Sequence, residues 1–85
     1  MKDNTPQAMK KAVMIEWVDS QFGSGEWKKL EDISTNIPPI NSIGFIVKET
    51  EKVVVIVQSI DSINKNYTQD FLIPKCSIIK ITRLK

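Results

Sequence analysis

Cys76 carries the only thiol of the chain, and the sequence contains no histidine. A reactive thiol needs a neighbouring base or cation to lower its pKa. Lys75 is the only adjacent charge, and no imidazole is present to take the proton. Cys76 therefore reads as a small buried hydrophobe. The lack of histidine also removes the commonest general base and metal ligand, and one cysteine cannot complete a zinc site of ordinary type. Glu31 and Asp32 are adjacent carboxylates. Neighbours on a helix point in different directions, so the pair reads as solvated surface. Residues 23–25 read GSG, without the Lys-Ser/Thr that completes a phosphate-binding loop. This inventory implies no enzyme, no cofactor and no metal.

Residues suited to binding are easier to find. Trp27 stands beside two glycines and two lysines, and reads equally as core or as an exposed aromatic anchor. Asp19 and Ser20 end an apolar run, where they either line a pocket rim or make turn hydrogen bonds. Charge is polarised along the chain. Eight basic and ten acidic groups before residue 71 leave −2, and Lys75, Lys80, Arg83 and Lys85 after it give +4, the net +2 of the protein. Such a basic segment either guards an exposed edge strand against aggregation or attracts a phosphate-bearing ligand. With one arginine in the whole chain, the forked donor favoured in base recognition is scarce, which favours edge protection.

The elements that must position these residues are strands. The chain holds 13 Ile and 7 Val against 3 Leu, and β-branched side chains pack well on a pleated sheet but lose rotamer freedom in a helix. A first strand runs from Ala12 to Val18, with Trp17 among its core residues, and DSQFGSG stops it. Trp27, Leu30 and Ile33 lie three apart, so residues 25–34 read either as a short helix or as an ordered loop. The two prolines of NIPPINS then exclude both helix and central strand. SIGFIVKETEKVVVIVQSI predicts a hairpin about Thr50 and Glu51, pairing Val47 with Val54, Phe45 with Ile56 and Lys48 with Val53. Gly44 inside its first strand marks a bulge or a sharp bend. DSINKNYTQ reads as a polar loop. DFLIP is a fourth strand ended by Pro74, KCS a 3₁₀ turn, and IIKITRL a closing strand with Ile79 and Ile81 facing in.

Eighty-five residues make one domain. The expected organisation is a flexible leader over residues 1–11, with Met9 as an alternative start, and a single small β-barrel domain over residues 12–85. No apolar run approaches the about 18 residues of a spanning helix, and the polar N-terminus has no secretory core, so neither membrane insertion nor export is expected. One cysteine forms no internal disulfide, which fits the cytoplasm. The strand order, with a central hairpin and a 3₁₀ turn before the last strand, is the plan of small five-stranded antiparallel SH3-like and Sm-like barrels. The segments IEWVDS, GEW, SIGFIVKE and IPKCSIIKI, spread from Ile15 to Ile81, resemble small uncharacterised proteins of phages and prophages. That resemblance supplies context and no catalytic residues. The poor catalytic inventory favours a non-enzymatic binding module, such as a phage accessory factor, acting through protein–protein contact, and the barrel plan implies homo-oligomers that close its edges. The alternative is an Sm-like binder of RNA or of a small signalling nucleotide, such as a sequestering sponge.

Overall fold

The computed structural model describes residues 12–84. The leader expected over residues 1–11, its alternative start at Met9, and Lys85 lie outside the described residues. Among the described residues seven strands form: β1 (Ala12–Trp17), β2 (Ile40–Glu49), β3 (Val53–Val57), β4 (Ser59–Asp61), β5 (Asn66–Thr68), β6 (Phe71–Pro74) and β7 (Ile78–Arg83). Five of them make one antiparallel sheet in the order β6-β3-β2-β1-β7, and β4 with β5 makes a separate two-stranded ribbon. Among the described residues there is no α-helix. Residues 25–34 contribute only one 3₁₀ turn, Leu30–Asp32.

The alternation expected of strands organises the core. Val13, Ile15 and Trp17 point to one face of β1 and are buried. They meet Val54 and Ile56 of β3 and Ile73 of β6, with Ile46 and Ile78 packed against the cluster. This sheet is curved. Trp17 and Phe71 lie on strands separated by two others, about 14 Å apart in a flat sheet at normal strand spacing. Their ring centroids are 5.5 Å apart and tilted by 60°, so the sheet wraps around them. The three-residue 3₁₀ turn Lys75–Ser77 likewise joins β6 and β7, which are the two outer strands. Four strand spacings, about 19 Å, exceed the reach of four extended residues, about 14 Å. Among the described residues β6 and β7 do not pair with each other, so the ladder stays open.

Gly44 permits the curvature. It is buried opposite Val13, and a Cβ there would stand 2.9 Å from the Val57 carbonyl oxygen and 3.1 Å from the Ile56 Cβ. Only a residue without a side chain lets β3 come so close.

The hairpin register differs from the symmetric one. Thr50 donates its N–H to the Val53 carbonyl at 2.8 Å, and its hydroxyl accepts the N–H groups of Lys52 and Val53. The reversal therefore sits one residue further along, and Glu49 faces Val54. The register then shifts between Ile46 and Lys48, so Ile46 faces Ile56 and Phe45 faces Val57. Phe45 and Val47 leave the core layer expected of them and are half-buried, and Ile46 takes the inner position.

Three further expectations are corrected. Cys76 is exposed, not buried, because the 3₁₀ turn directs it outward. Ile79 and Ile81 are exposed, because among the described residues β7 has a neighbour on one side only. DSINKNYTQ is not simply a loop: it holds the last residue of β4, the turn and β5. There the Asp61 carboxylate accepts the N–H groups of Ile63 and Asn64 and the Asn64 side-chain amide, and Lys65 adopts a left-handed φ of 59°.

Candidate functional site

The connection between β1 and β2, residues 18–39, forms an arm. Its two ends meet, since Trp17 pairs with Ile40, but between them every residue from Asp19 to Pro39 is exposed. The local sequence explains why no ladder forms. Gly25 takes a φ of 86°, a conformation few other residues adopt. Pro38 and Pro39 have no N–H to donate at the other end. Between these breakers the arm holds one 3₁₀ turn, closed by the Asp32 N–H on the Lys29 carbonyl at 3.0 Å.

The arm is nevertheless rich in large apolar side chains. Phe22 and Trp27 are each 102% exposed, Leu30 89% and Ile33 71%, and Ile37 is also exposed. Scattered single hydrophobics on a surface are ordinary, whereas here five are exposed on one segment. Gln21, Trp27, Leu30, Ile33 and Ser34 border a shallow cleft of about 520 Å³ between the two legs.

The residues expected to bind fall into two groups. Trp27 lies on the arm, fully exposed. Asp19 and Ser20 lie at its root, where the Asp19 carboxylate accepts the Ser20 N–H at 2.8 Å. The Val18 N–H bonds the Ser77 carbonyl at 3.0 Å, so this root adjoins the turn that carries Lys75. Lys75 is half-buried and paired with Glu49 at 2.6 Å. Lys80 and Arg83 are exposed on β7, an outer strand, and Lys85 lies outside the described residues. Phe22, Leu30, Ile33 and Ile37 belong with Trp27, but their types alone gave no sign of it. The usable signal is that Leu30, Ile33 and Ile37 lie between Gly25 and the two prolines, and Phe22 directly before Gly23, in a segment rich in ladder breakers.

Among the described residues no three potential metal-ligating side chains come together. The Asp61 carboxyl has a displaced pKa. The Asn64 side-chain amide, with the Asn64 and Ile63 N–H groups, holds it below its ordinary value. This hydrogen bonding closes the β4–β5 turn. Comparison with protein families, with curated proteins and with solved structures finds no match.

Proposed function

We propose that this protein is a non-enzymatic binding module of phage or prophage type, acting in the cytoplasm through protein–protein contact. Its scaffold is an SH3-like or Sm-like small barrel, and its working surface is the arm of residues 18–39. The scaffold reading is supported by the wrapped five-stranded order and by the 3₁₀ turn between the last two strands. The functional reading rests on one observation: Phe22, Trp27, Leu30 and Ile33 are uncovered on a single segment. Exposed aromatic anchors of this kind supply much of the energy of protein interfaces.

A second reading, binding of RNA or a small nucleotide, draws on the exposed Trp27 with Lys28 and Lys29 beside it, since a base stacks on an aromatic ring next to a cation. The arm as a whole opposes it. Asp19, Glu26, Glu31 and Asp32 outnumber the two lysines, leaving −2 on the segment, and a phosphate backbone is repelled by net negative charge.

Replacing residues 21–36 by a short Gly-Ser linker separates scaffold from function. The variant should keep the cooperative unfolding of the sheet and lose protein binding. Unchanged binding of every partner by the armless variant would overturn this reading. Salt-sensitive binding of an oligonucleotide, lost on Trp27→Ala, would favour the second.

A further inference from the structure

We propose that the arm's partner is a second copy of this chain, the arm of each protomer lying along the β7 edge of the other. The proposal rests on reading the arm as a protein-binding element and names what it binds.

Two outer strands of the sheet present exposed apolar side chains. On β6 these are Phe71 and Leu72, and on β7 they are Ile79 and Ile81. The arm carries −2 and its 3₁₀ turn holds two adjacent acids, Glu31 and Asp32. Asp70 directly precedes β6 and the Lys75 that follows it is already paired with Glu49, whereas on β7 Lys80 lies between Ile79 and Ile81 and Arg83 ends the strand. Charge complementarity therefore selects β7. The charges choose the edge and the register, and apolar burial drives the association.

The area is sufficient. Phe and Trp each bury roughly 150–250 Å² when covered. With Leu30 and Ile33 added and two arms exchanged, the buried surface reaches the roughly 1,200–2,000 Å² of a specific interface. A two-fold exchange also closes on itself: each copy gives one arm and receives one, and neither arm stays bare. The protomer's own β7 is not the receiver, because the side chains of its arm are uncovered in the single chain.

A charge-swap pair tests the proposal, read by light scattering across the micromolar range and by acrylamide quenching of Trp27. The Trp27→Phe variant supplies the background from Trp17. Wild type should be a dimer in which Trp27 is shielded. Lys80→Glu with Arg83→Glu, and separately Glu31→Lys with Asp32→Lys, should each weaken self-association about tenfold or more, since like charges then face each other in both halves of the interface. An equal mixture of the two variants should restore a shielded heterodimer. Circular dichroism of each variant checks that the sheet is intact. If a variant unfolds, Lys80→Gln with Arg83→Gln and Glu31→Gln with Asp32→Gln replace the pair, and each should weaken the dimer.

A wild-type monomer with quenchable Trp27 would overturn the exchange, while arm-dependent capture of another protein would leave the proposed function standing. A monomer with shielded Trp27 would mean that the arm folds back on its own sheet, and would overturn both. A dimer in which Trp27 stays quenchable, or a mixture that fails to reassociate, would place the interface elsewhere and overturn the exchange alone.

Discussion

Trp17 and Trp27 lie ten residues apart in one chain and meet opposite environments. Trp17 ends β1, is 7% exposed, packs at a tilt against Phe71 and donates its indole N–H to the Ser42 hydroxyl at 3.0 Å. Trp27, on the arm, is 102% exposed. The same division separates Ile15 and Ile56 from Leu30 and Ile33. Apolar character does not by itself bury a side chain. Backbone pairing brings apolar side chains together on a common face, and β1 has that pairing on both sides while the arm has none. A segment that cannot pair keeps its apolar groups available to another molecule.

The sharpest way to break this contrast is to truncate each tryptophan. Trp17→Ala should cost about 3–5 kcal/mol in urea unfolding, because it opens a cavity in the wrapped core. Ile56→Ala should cost about 2–5 kcal/mol for the same reason. A loss below about 1 kcal/mol for either would show that the core is not where the sheet places it.

Gly44→Ala should destabilise by about 1–3 kcal/mol, since the new Cβ meets backbone oxygen rather than a flexible side-chain end. A neutral result would mean that β3 can move away from β2 and that the wrap is loose. Trp27→Ala, measured in dilute protein where self-association is absent, should change stability by no more than about 0.5 kcal/mol. A large loss would place Trp27 against the sheet and erase the contrast with Trp17.

Cys76 belongs to the exposed side of the comparison. Its thiol should react with a soluble disulfide reagent at nearly the same rate folded and unfolded, and Cys76→Ser should shift stability by no more than about 0.5 kcal/mol. Strong protection in the native state would show the turn packed inward.

The smallest expected effect is at Asp61. Its folded pKa is depressed, so its contribution is present above the ordinary carboxylate range and lost as the pH falls through the folded value. Protection of the Ile63 and Asn64 amides from exchange should weaken over that acid limb, and Asp61→Asn should remove the pH dependence. Unchanged exchange in wild type would mean that the turn does not depend on the carboxylate.

By itself the sequence determined the strand class, the positions of four main strands and of β2 beyond Ser42, the 3₁₀ turn after Pro74 and the inward place of Trp17. Those follow from local chemistry: β-branched composition, alternation with a period of two, and prolines that cannot donate to a ladder. Ile40–Ser42, which the prolines of NIPPINS excluded from a central strand, begin the middle strand of the sheet instead. The tertiary structure alone decided the rest. Period says which side chains point the same way, but not whether anything covers them. Ile81 alternates as a core residue should and faces Ile15, yet it is exposed because β7 is an outer strand. The hairpin register was set by the Thr50 hydroxyl and a shift at Val47, a difference of one residue that alternation over an all-apolar strand such as VVVIV cannot resolve. The arm carries helical spacing at Trp27, Leu30 and Ile33, but spacing does not supply a surface to pack on. Only the fold shows that, among the described residues, no other part of the chain comes to cover them.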